Sequence, residues 1–153
     1  MIGTAPGGVF VQHVLVEHYY RAPIDRVWAR YTDHVSWTDW AGLGSVRLAK
    51  QGAPTPNGVG CVREISSAGV KVYEEVLEFE APRRMTYRVV RGGLPMADHL
   101  GEVQFEARDG GTRIAWRCQF RSRIPGLGRL MRLFITRIFR AALRGLERDL
   151  GGA

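Results

Sequence analysis

The feature that most constrains this chain is a strict alternation of apolar and polar residues through its second half. Between 112 and 122, alternate positions hold Ile114, Trp116, Cys118 and Phe120, and Arg117, Gln119 and Arg121 lie between them. A repeat of two residues is that of a β-strand, whose successive side chains point to opposite faces. The segment 98–108 alternates in the same way. We therefore predict antiparallel strands with one apolar face and one charged face.

The turn between these strands also predicts how they pair. The connecting residues are Asp109-Gly110-Gly111-Thr112, and a two-residue hairpin turn needs central residues that adopt positive φ. A turn centred on Gly110 and Gly111 places Phe105 opposite Trp116. The same register places Val103 opposite Cys118.

The other segments complete an α+β pattern. Composition and turn residues predict further strands at Val9–Tyr20, Ser45–Lys50, Gly60–Ser66, Val70–Glu80 and Met85–Arg91. Two short helices should follow the first strand, one opened by Pro23 and one begun by Ser36. A long amphipathic helix is expected near 125–150, with arginines on one side: Arg129, Arg132, Arg140 and Arg144. The predicted fold is a seven-stranded antiparallel sheet covered on its apolar face by this last helix.

Length and composition favour one domain over residues 1–153. Hydrophobic residues make up 45% of the chain and charged residues 24%, which are ordinary values for a globular protein. No apolar run reaches the roughly 18–20 residues that a membrane span needs, and the N-terminus has no secretory signal pattern. We expect a cytoplasmic protein. Cys61 and Cys118 are far apart in sequence and should stay reduced.

The charge balance is strongly basic. The chain has 22 Lys plus Arg against 15 Asp plus Glu, a net charge of +7, and only Lys50 and Lys71 are lysines. One interpretation is codon usage in a GC-rich genome. The other is a weak contact of the arginine side of the last helix with an anionic membrane. We do not expect nucleic-acid binding, and we expect a monomer or a homodimer.

Four polar residues fall on the apolar sheet face by alternation: Arg63, Glu75, Tyr87 and His99. An unpaired charge buried there would cost several kcal/mol, so we predict an ion pair between Arg63 and Glu75. This pair could serve the fold alone, or the four residues could form the polar end of a ligand cavity. The histidines lack the spacing of metal ligands, and no nucleotide-binding loop is present. We therefore expect no metal and no cofactor.

Several short motifs together resemble a known family. In chain order they are Ala22-Pro23-Ile24-Asp25-Arg26-Val27-Trp28, Asp33, Trp40, Gly58-Val59-Gly60-Cys61-Val62-Arg63-Glu64, Glu75, Tyr87, Gly110-Gly111-Thr112-Arg113, Trp116 and Leu143-Arg144-Gly145-Leu146. Their order and spacing resemble the SRPBCC superfamily, which has the START-like helix-grip fold, in its polyketide cyclase/dehydrase and lipid-transport branch. The resemblance covers nearly the whole chain.

The resemblance implies a deep cavity between the sheet and the last helix. It implies a binding or carrier protein for an apolar ligand such as a polyketide, a fatty acyl chain or a sterol-like compound. It also implies that Arg63, Glu75, Tyr87 and His99 face this cavity. The full set of ligand-binding residues that we expect is Trp37, Trp40, Arg63, Glu75, Tyr87, His99, Phe105, Trp116, Met131, Phe134 and Ile138.

The alternative is a polyketide aromatase/cyclase that assists aldol closure and dehydration. In that case Tyr87 and His99 would be the acid and base candidates, and Arg63 would stabilise an enolate.

Overall fold

The computed structural model describes residues 10–151. Its elements are, in chain order, β1 (Val11–Tyr20), α1 (Ile24–Thr32), a short 3-10 turn (His34–Ser36), α2 (Trp37–Trp40), β2 (Ser45–Lys50), β3 (Val62–Ser67), β4 (Val70–Glu80), β5 (Arg84–Gly92), β6 (Met96–Arg108), β7 (Gly111–Ser122) and α3 (Gly128–Gly151). The predicted α+β helix-grip fold is confirmed. Val9, predicted as the start of the first strand, lies outside the described residues.

The seven strands form one antiparallel sheet in the order β1-β7-β6-β5-β4-β3-β2. Strands β2 to β7 follow one another as a meander, and β1 joins the free edge of β7. The long helix α3 packs mainly along β1 and also contacts β7 and α2. No helix among residues 10–151 is both long and apolar enough to cross a lipid bilayer.

The β6–β7 hairpin has the predicted faces but a different register. Its central turn residues are Asp109 (φ 49°) and Gly110 (φ 76°), whereas Gly111 already pairs with Arg108. Phe105 therefore lies opposite Ile114, and Val103 opposite Trp116. The predicted register is wrong because aspartate tolerates a left-handed backbone well enough to take the first turn position. The error shifts each partner by two residues, so every side chain keeps its predicted face.

The predicted phase of β4 is wrong in its first half. Val76 lies opposite Tyr87 and Glu78 opposite Thr86, so Leu77 is an extra residue, a β-bulge. The prediction assumed strict alternation along β4, starting from Phe79 on the inner face. The extra residue at Leu77 reverses the alternation, so the residues before it lie on the opposite face from the predicted one. Glu74, and not Glu75, points inward. Glu75 lies opposite Arg88 and its carboxylate is 3.5 Å from that guanidinium, on the outer face of the sheet.

Contacts near its C-terminal end hold α3 in place. A Cβ atom at Gly145 would lie 1.8 Å from the carbonyl oxygen of Trp40, so only glycine permits this approach of α3 to α2. The Tyr20 hydroxyl donates a hydrogen bond of 2.9 Å to the carbonyl of Leu143. Arg30 on α1 forms an ion pair of 2.7 Å with Asp149. This end of the helix is thus tied to three other elements.

Both cysteines are buried and carry free thiols. Cys118 lies on β7, and Cys61 directly precedes β3, with β4, β5 and β6 between those strands. Neighbouring strands are about 4.8 Å apart, whereas a disulfide needs Cα atoms within roughly 7 Å. The prediction that the two thiols remain unbridged is confirmed.

Candidate ligand-binding cavity

A cavity of about 430 Å³ lies between the inner face of the sheet and α3. Its wall is formed by β3 to β7, by the loop after α2, by the β5–β6 connection and by one side of α3. Most of this wall is apolar, including Leu43, Ile65, Val72, Val89, Leu94, Met96, Trp116, Phe134, Ile135, Ile138 and Phe139. Apart from indole groups, the polar side chains in the wall are those of Ser67, Glu74, Tyr87 and His99.

The cavity opens at the protein surface beside the first half of α3. Phe134 and Ile138 belong to the wall and are nevertheless 52% and 37% exposed. Val70, at the start of β4, also belongs to the wall and is 47% exposed. These three side chains therefore mark the mouth, and the polar side chains of β4, β5 and β6 mark the deeper part.

The eleven predicted site residues lie in three different places. Six lie in the cavity wall: Trp37, Tyr87, His99, Trp116, Phe134 and Ile138. Trp40, Arg63, Phe105 and Met131 are buried in the core outside the wall, and Glu75 lies on the outer face. Binding of a ligand by the six wall residues stays a prediction.

Arg63 is fully buried and pairs with Glu74. Its Nε donates a hydrogen bond of 2.7 Å to Oε2 of Glu74, and Nη2 lies 2.7 Å from the same oxygen. The guanidinium carbon is 4.4 Å from the ring centre of Trp37 and 4.6 Å from that of Tyr87. Burial lowers the pKa of Arg63, but the charge and hydrogen bond of Glu74 together with Tyr31 and Tyr87 outweigh it, so the pKa is raised. The predicted pair with Glu75 is thus replaced by a pair with Glu74.

Tyr87 joins this ion pair to the cavity. Its hydroxyl oxygen accepts a hydrogen bond of 2.7 Å from Nε1 of Trp116. Its ring lies across Gly101 on β6, where a Cβ atom would come within 2.2 Å of a ring carbon. Burial, and next the charge of Glu74, raise the pKa of the Tyr87 phenol well above its ordinary value. Tyr87 is therefore a neutral phenol whose proton can be donated to a partner.

His99 is held as a neutral ring. Its Nδ1 accepts a hydrogen bond of 3.2 Å from the backbone N–H of Val89, which places the proton of the neutral imidazole on Nε2. Burial lowers the pKa of His99; the Arg63 charge acts in the same direction and Glu74 against it. The ring centres of His99 and Tyr87 are 5.6 Å apart.

A second group of buried polar side chains packs around Trp37. The ring centres of Tyr31 and His34 lie 5.2 Å and 5.7 Å from that of Trp37. Within residues 10–151, the Tyr31 hydroxyl, Nε2 of His34 and both Nη atoms of Arg63 have no hydrogen-bond partner. Nη2 of Arg63 is close to the Glu74 carboxylate but is not aligned for a hydrogen bond. Burial, and then the charge of Arg63, lower the pKa of His34 well below its ordinary value. His34 is thus a neutral side chain in the core.

Comparison with protein-family models gives a match over residues 12–151 to the family described as polyketide cyclase / dehydrase and lipid transport. The chain belongs to this family. The resemblance to the SRPBCC superfamily that the sequence motifs indicated is confirmed. A search of curated proteins found no match.

Three solved structures illustrate how distant in sequence proteins with the fold of this family member can be. The protein XoxI from Bacillus cereus is 18% identical, with a TM-score of 0.74 over 90% of this chain and 94% of that chain. Ara h 8.0201 is 14% identical, with a TM-score of 0.77 over 94% and 100%. A protein from Thermus thermophilus is 22% identical, with a TM-score of 0.72 over 93% and 99%. At these identities the likeness shows the fold alone.

The sequence analysis did not predict Glu74 as the partner of Arg63, although the turn between β3 and β4 indicates this pairing. In the β3–β4 hairpin Ser67 pairs with Val70 across Ala68 and Gly69. Counting outward from such a two-residue turn pairs Arg63 with Glu74. Hairpin counting uses only the nearest turn, whereas alternation along β4 crosses the bulge at Leu77.

Metal-site geometry is not found in the described part of the chain. No three His, Cys, Asp or Glu side chains among residues 10–151 come together in a way that could hold a metal ion. The polar side chains of the cavity wall are instead Glu74, which pairs with Arg63 behind the wall, and the neutral groups of Ser67, Tyr87 and His99. Such a set suits the orientation of an organic ligand.

Proposed function

We propose that this protein binds one apolar small molecule with a polar end, such as a polyketide, a fatty acyl chain or a sterol-like compound, and carries it unchanged. The observation that supports this most is the cavity of about 430 Å³, because its wall is apolar except for a few polar side chains on neighbouring strands. Its volume is in the range of small-molecule sites. We further propose that residues 1–153 act as one ligand-binding domain.

The polar end of the cavity favours a ligand with a carbonyl or hydroxyl oxygen. The Tyr87 oxygen already accepts a hydrogen bond from Trp116, so its own proton is available to a ligand. His99 carries a second proton on Nε2 because Nδ1 is occupied. The charge of Glu74 is balanced by Arg63 at 2.7 Å, so the site does not require an ionic ligand.

The cyclase alternative receives less support from the same geometry. Aldol closure needs a base that removes a proton from a carbon next to a carbonyl. Nδ1 of His99 is bound by the Val89 amide, and Tyr87 is a neutral phenol. The carboxylate of Glu74 is bound by Arg63. Arg63 itself lies outside the cavity wall, so its proposed contact with an enolate is not supported.

Val89 and Val90 provide a matched pair of variants to test binding. Val89 lies in the cavity wall, whereas its neighbour Val90 is 45% exposed. Val89→Phe should fill the cavity and weaken the binding of the neutral fluorophore Nile red by at least about tenfold, because apolar burial in the pocket is lost. Val90→Phe should bind Nile red as the wild type does.

Fluorescence titration measures the affinity, and circular dichroism verifies that both variants are folded. Equal Nile red binding by the two folded variants would refute the cavity as the binding site. Native mass spectrometry of the purified protein, followed by extraction, then identifies any copurified ligand. Recovery of a chemically altered product after incubation with that ligand would contradict a pure carrier role.

We also propose that the protein acts in the cytoplasm. The fold of residues 10–151 contains no disulfide, as is usual for cytosolic proteins, and this supports the proposal.

A further inference from the structure

The segment 110–146 has an extreme charge composition. It contains nine arginines and no aspartate or glutamate. Three of these arginines lie on β7 and form ion pairs with acids of neighbouring strands: Arg113 with Glu17, Arg117 with Glu102 and Arg121 with Asp98. The other six make no ion pair within residues 10–151: Arg123, Arg129, Arg132, Arg137, Arg140 and Arg144. Five of these six belong to α3, so this helix presents positive charge that the described part of the fold does not neutralise.

The same helix also exposes large apolar side chains. Leu130, Leu133, Phe134 and Ile138 are 63%, 57%, 52% and 37% exposed. Their spacing places them next to one another along one flank of α3. Phe134 and Ile138 border the cavity, and the exposed Val70 lies in the opposite part of the wall. We call these five residues the mouth patch.

An apolar patch around a cavity opening has a physical consequence. Contiguous exposed apolar surface is unfavourable in water and marks a surface that is buried against a partner. A helix that combines such a flank with arginines is suited to lie in a membrane interface, where apolar side chains enter the acyl region and guanidinium groups meet anionic headgroups. Nucleic acid would satisfy the arginines but would leave the four side chains of α3 exposed.

We propose that the mouth patch and the arginines of α3 dock this protein on an anionic lipid bilayer, with the cavity mouth facing the bilayer. An apolar ligand then passes between membrane and cavity without crossing water. The passage of ligand rests on the proposed function, whereas the docking rests only on the exposed side chains and charges of α3.

Leucine variants test the apolar part of the surface. Leu130→Ser combined with Leu133→Ser removes two exposed side chains that do not line the cavity. The matched control is Leu100→Ser on β6, since Leu100 is 40% exposed and belongs neither to the cavity wall nor to α3. Flotation of the full chain is measured with vesicles of phosphatidylcholine alone and of equal parts phosphatidylcholine and phosphatidylglycerol.

The wild type should bind the anionic vesicles and bind them less as salt rises. The double leucine variant should lose most of this binding, while the Leu100→Ser variant keeps it. Arg129→Gln and Arg137→Gln should each weaken binding by about fivefold, as expected for an arginine near an anionic surface. Arg83→Gln on the β4–β5 turn, an exposed position, is their control.

Three results would overturn the proposal. They are equal binding to neutral and anionic vesicles, full binding to anionic vesicles by the double leucine variant, and an equal loss of binding in the Leu100→Ser variant. Nile red titration of the same samples separates the two proposals. A wild type that binds anionic vesicles through Leu130 and Leu133 but does not bind Nile red would refute the carrier function and support the docking surface.

Discussion

Removal of the Glu74 carboxylate should destabilise the fold far more than removal of its neighbour Glu75. Glu74→Ala leaves the guanidinium of Arg63 fully buried without its only carboxylate partner in the described structure. Breaking a buried ion pair in this way costs roughly 3–5 kcal/mol of unfolding free energy. The rings of Trp37 and Tyr87 over the guanidinium retain part of its stabilisation, so we expect about 3 kcal/mol.

Glu75→Ala is the control on the same strand. The Glu75 carboxylate lies 3.5 Å from Arg88, whose side chain is 53% exposed. An exposed pair of this kind contributes about 0–1 kcal/mol. Both variants keep the length of β4 and remove the same number of charges, so the comparison isolates which face of the strand each carboxylate occupies.

Urea unfolding followed by tryptophan fluorescence measures the difference. With a urea m-value of about 2 kcal/mol/M, Glu74→Ala should lower the midpoint by about 1.5 M, and Glu75→Ala by less than about 0.5 M. Glu74→Gln keeps an acceptor for Arg63 and should fall between them. Equal midpoints for the two alanine variants, or a larger loss for Glu75→Ala, would refute the bulge at Leu77 and the inward position of Glu74.

Two further predictions concern the core. Gly101→Ala should lower the unfolding free energy by about 1–3 kcal/mol, because the new Cβ meets the buried Tyr87 ring, whereas Gly151→Ala, which meets nothing within 4 Å, should be nearly neutral. Similar urea midpoints for these two variants would contradict the close packing at Gly101. The stability should also fall as the pH drops below about 6.5, the ordinary histidine value, because the pKa values of His34 and His99 are lowered in the folded state and the unfolded chain takes up protons first. The unfolding free energy should change by at most about 1.4 kcal/mol per pH unit for each histidine until the pH falls below the folded pKa. His34→Gln should make this pH dependence shallower. An unchanged pH dependence in that variant would show that His34 does not cause the effect.

The architecture was predictable because its signals are local. Alternation along β6 and β7 and the helical repeat of α3 each depend on a few neighbouring residues, and the structure follows them closely. The register of the β6–β7 hairpin was not predictable to the same degree. It depends on whether Asp109 or Gly110 takes the first turn position, and both residues tolerate positive φ.

The site was only partly predictable, since alternation assigns a residue to a face but does not say what covers it. Phe105 shares the inner face with Trp116, yet the rings of Trp28 and Tyr31 pack against it at 5.0 Å and 5.4 Å. Leu43 and Leu94 reach the cavity from loops, where no periodic pattern exists. Such covering depends on how distant segments pack, which local sequence does not report.

Helix α3 is fixed by hydrogen bonds at its C-terminal end, so its N-terminal half has more freedom to move than its C-terminal half. Within residues 10–151, the side-chain hydrogen bonds that tie α3 to other elements all involve residues 143–150. The half that borders the cavity mouth is held by apolar packing alone, and Leu130 lies about 20 Å along the helix axis from Leu143. A small tilt about the fixed end therefore becomes a large displacement at the mouth. Substitutions in the N-terminal half of α3 should therefore alter the width of the cavity mouth. The close contact of Gly145 with Trp40 would keep the C-terminal half of the helix in place.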